Sequence, residues 1–286
     1  MRSAWRSATD GSTGAERATR RDQGPRCCGR CATTRRPDHR RNVAVVFTVD
    51  EEARMSGARA FAEGALRDFL PTLEGMVVGE PTRLRPVTAH NGVVRWKTST
   101  RGVAAHSSVP AKGRSAISAL RPVLAALEDD YARTAEKSHA LTGNAAFSVN
   151  VIRGGSQVNV IPDRCEIECD RRLVPGEPVR EVLAERDRCL AGFAVEHSDL
   201  YVVPPLDDAR PPQFLGDLQQ VLAAHGQDPA LQGAAYVTNA SHYSAAGAPV
   251  IVLGPGDIAQ AHTADEWIGN DQLMLAVDIY RNLMTR

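Results

Sequence analysis

Glu51 and Glu52 stand side by side at the end of a short apolar run, Val43-Ala44-Val45-Val46-Phe47-Thr48-Val49-Asp50. Twenty-eight positions after Glu52 a third carboxylate, Glu80, follows a second run, Met76-Val77-Val78-Gly79. Near the C-terminus Val250-Ile251-Val252-Leu253 leads through Gly254-Pro255-Gly256 to His262. Three apolar runs thus end in acid, acid and imidazole. In open α/β sheets ligands bind at the carboxyl ends of strands. Oxygen and imidazole donors together suit zinc or a similar divalent metal, cobalt included. Glu52, Glu80 and His262 are therefore candidate metal ligands. Glu51 is the candidate base, because a carboxylate beside a metal can take the proton of a water whose pKa the metal lowers to about 7. Alone, Asp50-Glu51-Glu52 would read as a solvated acidic turn. The matching positions of Glu80 and His262 favour a site.

The elements that must carry these residues can be traced by period. The run over 43–49 is long and β-branched enough for a buried strand. A helix follows over 56–69, with Ala58, Phe61, Ala62, Ala65, Leu66 and Phe69 at helical spacing. A strand over 76–79 completes a β-α-β unit of the kind that builds a mostly parallel sheet. After Pro86 the pattern changes. Residues 92–100 alternate as a strand, and 116–132 form a helix striped by Ile117, Leu120, Val123, Leu124 and Leu127. Strands over 146–152 and 165–173, a helix over 178–190 and a strand over 193–203 follow. That β-α-β-β-α-β order is ferredoxin-like. Beyond Pro204 a helix at 212–225, the strand at 250–253 and a helix at 271–284 return to α/β. The expected architecture is an α/β catalytic domain, 42–86 and 204–286, interrupted by an inserted α+β domain at 87–203.

Composition narrows the function classes. The formal net charge is zero, so no general attraction to nucleic acid or to an anionic membrane is implied. Residues 1–42 hold 11 Arg against 4 acids. The segment 1–41 has almost no aliphatic residues and is expected to lack order. Its Cys27-Cys28-Gly29-Arg30-Cys31 resembles half a zinc knuckle, but accidental composition explains it better. Cys165, Cys169 and Cys189 show no framework spacing, so a reducing cytoplasm is the expected location. No apolar stretch has the length of a membrane span. The N-terminus lacks the apolar core of a secretory signal.

Periodicity does not single out His106, Asn159 or Arg172. They belong to a series of motifs in a fixed order. These are Phe47-Thr48-Val49-Asp50-Glu51-Glu52, Gly79-Glu80-Pro81-Thr82, and Gly102-Val103-Ala104-Ala105-His106-Ser107-Ser108 with Pro110 and Gly113. Gly154-Gly155, Asn159-Val160-Ile161-Pro162-Asp163 and Asp170-Arg171-Arg172 with Pro175-Gly176 come next. Gly254-Pro255-Gly256 and Ala261-His262 with Asp265-Glu266 close the series. From about Val43 to the C-terminus the chain resembles the acetylornithine deacetylase, succinyl-diaminopimelate desuccinylase and aminoacylase family of zinc metallohydrolases. The loops around Glu80 and His262 look most like acetylornithine deacetylases. The resemblance implies Glu51 as general base, Glu52 and His262 as ligands of one zinc, and Glu80 as ligand of a second. It implies that His106 reaches across a dimer interface to the tetrahedral oxyanion. Arg172 and Asn159 would hold the substrate carboxylate and carbonyl, and a guanidinium can grip a carboxylate with two parallel bonds. The inserted domain would be the lid and dimerisation domain of a homodimer. The reaction implied is hydrolysis of the amide of an N-acyl amino acid or short peptide. A dipeptidase or carboxypeptidase is the near alternative, and a non-catalytic relative that only dimerises the further one.

The chain departs from that pattern before Val43. The family's His-X-Asp motif and its metal-bridging aspartate have no counterpart, and residues 1–41 look like a different reading frame or start. Half of the metal site is therefore expected to be missing, and the chain as written to be inactive or weakly active.

Overall fold

A computed structural model describes residues 30–34, 42–207 and 214–285. Strands β1 (Arg30–Thr34) and β2 (Val43–Phe47) pair antiparallel as a separate ribbon. Arg30–Thr34 thus has regular structure inside the segment expected to lack it. The remainder of 1–41, with Cys27 and Cys28, lies outside the described residues. The expectation of a buried strand at 43–49 fails. Val45, Phe47 and Val49 are 42%, 68% and 48% exposed. β2 pairs with β1 rather than with the larger sheets, so much of its apolar surface is uncovered, although Val46 packs against a core cluster.

Helix α1 (Ser56–Glu63) buries Ala58, Phe61 and Ala62, as its spacing requires. It ends at Gly64, whose N–H bonds back to Ala60 and Phe61 carbonyls, and a short turn of helix resumes over Leu66–Phe69. The helix expected over 56–69 is therefore broken once, at Gly64, a residue of poor helix propensity. Strands β3 (Met76–Val78) and β4 (Val87–His90) follow. The inserted unit consists of β5 (Gly92–Arg101), α2 (Ala116–Ala135), β6 (Ala146–Gly154), β7 (Arg164–Leu173), α3 (Val179–Cys189) and β8 (Val195–Val203). After it come α4 (Leu215–Ala224), β9 (Gln232–Ala234), α5 (Ala240–Ala245), β10 (Val250–Val252) and α6 (Asn270–Thr285).

One four-stranded sheet has the order β9-β4-β10-β3. β9 runs parallel to β4 and β10 parallel to β3, and a single antiparallel contact, Val252 opposite Val87, joins the pairs. The link from β3 to β4 is too short for a crossover helix, so β4 runs back across the sheet. β4 lies beyond Pro86 and still belongs to this sheet. Helix α1 and residues on either side of the insertion share its core, through Phe61, Leu66, Val87, Leu206, Tyr243 and Val252.

The second sheet has the order β8-β5-β7-β6, with every neighbour antiparallel. Helices α2 and α3 cover one face. Strand parity decides which residues meet them: Trp96, Cys165, Ile167, Cys169 and Leu173 pack against Leu120, Val123, Leu127 and Val182. The alternate residues Glu166, Glu168, Asp170 and Arg172 lie on the other face with Arg95 and Lys97. This is the β-α-β-β-α-β unit read from the sequence. Among the described residues no helix is long and apolar enough to cross a membrane.

Candidate functional site

The turn after β2 sets the direction of the paired carboxylates. Asp50 and Met55 have left-handed backbones (φ 65° and 51°), and the Met55 N–H closes onto the Asp50 carbonyl at 2.6 Å. The Asp50 carboxylate accepts from the Ser56 hydroxyl at 2.6 Å, which lowers its pKa and ties it to the start of α1. Asp50 is thereby used structurally, and Glu51 and Glu52 remain on the turn. Asn239 Nδ2 donates to the Thr48 hydroxyl at 3.2 Å, anchoring the approach to this turn against the start of α5.

Glu80 and His262 come from two loops that are stitched together. The Thr82 N–H donates to the Gly254 carbonyl at 3.1 Å, and the Gly254 N–H donates to the Thr82 hydroxyl at 3.2 Å. A Cβ at Gly254 would stand 2.5 Å from the Glu80 carbonyl oxygen, so this approach requires glycine. Arg83 pairs with Asp257 across the same seam. His262 has a left-handed backbone (φ 60°), and its Nε2 lies 3.5 Å from Glu52 Oε2 with both side chains exposed.

The electrostatics follow from this crowding. Burial, then the charges of Glu51 and Glu52, pushes the Glu80 carboxyl up to about 7. Burial also raises Glu51, helped by Glu52 and opposed by His262. Tyr236 is pushed up to about 12, first by burial and then by the charge of Glu80. Nothing in the sequence around Tyr236 marks it as a neighbour of the acids; only the placement of the chain beyond β9 does so.

The other three expected residues fall in two further places. His106 sits in a two-residue strand opposite Val160, and the Ser107 N–H donates to the Asn159 carbonyl at 2.9 Å. His106 Nδ1 lies 2.7 Å from the Ser108 hydroxyl. His106 and Asn159 are thus together and exposed, beyond the end of the sheet where Arg164 faces Arg101. Arg172 is at the opposite end, facing Val93. Eight residues of strand separate Arg164 from Arg172, about 26 Å at the usual rise. Arg172 Nε donates to Asp170 Oδ1 at 2.6 Å.

Two carboxylates and an imidazole are the right donor types for a divalent metal. Their grouping falls short: among the described residues no three His, Cys, Asp or Glu side chains are gathered so that they could hold one. Glu52 and His262 form a pair, with Glu80 outside it.

Residues 88–197 match the peptidase dimerisation domain of the M20 family. Over 85% of its length the chain is 31% identical to a probable carboxypeptidase of Aspergillus flavus, covering 59% of that protein. It is 31% identical to the acetylornithine deacetylase of Vibrio atlanticus, with 82% of this chain matched to 62% of the relative. Among solved structures, a putative aminohydrolase from methicillin-resistant Staphylococcus aureus superposes with a TM-score of 0.66 at 20% identity, over 87% of this chain and 67% of that one. The YXEP protein of Bacillus subtilis, described as a dinuclear metal-binding peptidase of the M20 family, gives 0.60 at 16% identity, over 87% and 66%. The chain therefore shares the fold of these solved structures and carries a peptidase dimerisation domain over 88–197. In sequence it is similar to an acetylornithine deacetylase and to a probable carboxypeptidase. The chain spans about 60% of the length of the curated relatives it matches.

Proposed function

We propose that this protein hydrolyses the amide bond of N-acyl amino acids or short peptides at a metal-assisted site, with zinc as the metal and cobalt as a substitute. The observation that carries the reading is the convergence of Glu51, Glu52, Glu80 and His262 from three loops far apart in sequence, seen in the Glu52–His262 approach of 3.5 Å and in the effect of both turn glutamates on Glu80. Glu52, His262 and Glu80 are the ligands proposed. Within the described residues this grouping is incomplete.

The chain's own residues have separable tasks. Glu51, raised by burial and by Glu52, is a stronger base than a free carboxylate, which suits it to take a proton from water. Arg172 has its Nε on Asp170, which fixes the plane of a guanidinium able to hold the substrate carboxylate. His106 and Asn159 lie too far along the sheet to serve the same copy as Arg172. Their placement supports a homodimer through the inserted domain, in which they complete a neighbouring site and bind the carbonyl oxygen. Cys165, Cys169 and Cys189 are free thiols, in keeping with a cytoplasmic protein.

The test is zinc content per chain together with chelator-sensitive acetate release from N-acetyl amino acids. Zinc bound with Glu52, Glu80 and His262 intact, and slow turnover lost with a chelator, is the expected result. The incomplete metal grouping favours one other reading, a non-catalytic relative that only dimerises. A dimer with neither zinc nor turnover would establish that reading instead.

A further inference from the structure

An asparagine at the start of a helix ordinarily caps it with its own side-chain oxygen. Asn239 precedes α5 and makes no such bond. The Thr238 hydroxyl takes that task and accepts from the Ala240 N–H at 3.1 Å. The Asn239 amide is thereby free to reach across 191 positions of sequence to Thr48, at 3.2 Å, on the approach to the Glu51–Glu52 turn. The rest of the amide is unused. Asn239 is 8% exposed, and its Oδ1 is buried with no hydrogen-bond partner among the described residues. A buried polar atom left without a partner is destabilising, so stability alone does not account for an asparagine here.

The base of this contact is well fixed, and what it holds is poorly packed. Thr238, Ala240 and Ser241 are fully buried. The Thr238 hydroxyl lies 3.1 Å from His90 Nε2 at the end of β4, and Ser241 Oγ donates to the Thr238 carbonyl at 3.1 Å. Tyr236, on the same segment, is close enough to Glu80 to feel its charge, so residues 236–239 border Glu80 at one end and the turn at the other. β2, in contrast, presents Val45, Phe47 and Val49 outward, while Val46 packs against a core cluster. Thr48 continues the inward parity of Val46 and meets Asn239. The Tyr243 phenol, one turn along α5, faces the same hydroxyl, and its ring packs edge-on against Phe61 of α1 at 5.8 Å. With so little apolar contact along β2, polar tethers must set where the turn stands.

We propose that Asn239 is a positioning residue of the candidate site: through Thr48 it fixes the Glu51–Glu52 turn relative to Glu80, at the cost of a buried oxygen left without a partner. The proposal rests on the amide-hydrolase reading for its function and adds a residue to that site. Asn239 acts through Thr48 and not on the substrate. Such a residue has a signature of its own. Removing it loosens the turn by one hydrogen bond, while the unpaired oxygen leaves with it and the global stability is nearly kept.

Hydrogen exchange of the full chain, read by mass spectrometry over residues 48–57, tests this without requiring turnover. The bonds that close the turn, from the Met55 N–H to the Asp50 carbonyl and from the Gly57 N–H to the Val49 carbonyl, report there. N239A and T48V are each expected to speed exchange over 48–57 about fivefold, the factor of one net hydrogen bond, with exchange in β7 unchanged. T48S keeps the hydroxyl and should keep the slow exchange. The double variant should exchange no faster than either single one, because both remove the same bond. The thermal midpoint of N239A should stay within about 2 °C of that of the unmodified protein. On N-acetyl amino acids N239A should lower kcat at least about tenfold with KM little changed, because misplaced groups slow turnover more than they weaken binding. Unchanged exchange over 48–57 in N239A or T48V, additive acceleration in the double variant, or a lowered midpoint with faster exchange throughout the chain would overturn the proposal. A loosened turn in the variants, with no hydrolysis by the unmodified protein, rejects the hydrolase reading alone. Hydrolysis with kcat unchanged in N239A rejects this proposal alone.

Discussion

Arg171 and Arg172 are neighbours in the chain and opposites in the fold. Strand parity sends Arg171 to the helix-covered side, where its side chain is 3% exposed and paired with Glu177, itself 7% exposed. Lys137 also donates to Glu177, at 2.9 Å. Arg172 points to the open face. Removing one partner of a buried pair leaves an uncompensated charge, at about 3–5 kcal/mol. E177A is therefore expected to lower unfolding free energy by about that amount, which a urea titration followed by circular dichroism would measure; a change below about 1 kcal/mol would contradict the buried-pair account. Which arginine of the two lies on the open face is legible from the alternation of 164–173. A functional role for Arg172 is implied only by the family resemblance, because an arginine at a strand end carries no signal of its own. His90 gives a second prediction. It is fully buried between the Asn91 carbonyl (2.8 Å) and the Thr238 hydroxyl (3.1 Å), and burial pushes its pKa down to about 4 from 6.5. The fold keeps the neutral form, so this contribution is complete above pH 6.5 and is lost as pH falls toward 4. At about 1.4 kcal/mol per unit, the loss is roughly 3 kcal/mol over that window. Unfolding free energies at pH 7 and pH 4.5 should differ accordingly, and H90Q should flatten the slope; an unchanged slope in H90Q would assign the acid sensitivity elsewhere.

The elements differ in how well their sequences announce them. Those of the inserted unit do so strongly, because each has its own period and its own ends. Helix α2 begins at Ser115, whose hydroxyl accepts from the Ser118 N–H at 3.2 Å, and its stripe of Leu120, Val123 and Leu127 is buried. S115A should cost about 1 kcal/mol and L120A about 2–5 kcal/mol, with the sheet order intact. Thermal unfolding of the two variants would show the larger shift for L120A, and the reverse order would mean that the cap rather than the stripe holds the helix. Strand β2 marks the limit of such reading. Val43 to Val49 has the composition of a buried strand, but composition records only that the strand can be buried. Whether it is buried depends on what lies against it, and the described residues offer β1 as its hydrogen-bonded neighbour. The metal ligands show the same limit. Sequence spacing indicates that Glu52, Glu80 and His262 end strands, and the stitched loops tie the segment of Glu80 to that of His262, while the approach of Glu52 to either is set by how the β2 turn docks, which no local pattern encodes.

At the scale of the whole molecule, one chain divides its candidate residues among three places, and a second copy is the simplest way to unite them. The turn acids and Arg172 belong to one end of the inserted sheet, and His106 with Asn159 to the other, roughly 26 Å away along β7. In a two-fold dimer every contact is made twice, with each copy lending its far end to the other. The arrangement makes a quantitative prediction. E51Q removes the base and H106A removes the group lent to the partner, so each variant alone should lose nearly all hydrolysis of N-acetyl amino acids. In a mixed dimer, the copy with intact Glu51 receives intact His106 from its partner, and the opposite site lacks both. Random exchange makes half of the dimers mixed, with one competent site in two, so equimolar mixing should restore about a quarter of the activity of the unmodified protein. Restoration must follow the rate of subunit exchange, measured separately by fluorescence transfer between labelled copies. If exchange is complete and activity stays at the level of the separate variants, His106 does not act in the partner's site and the division of the residues along the sheet has another cause.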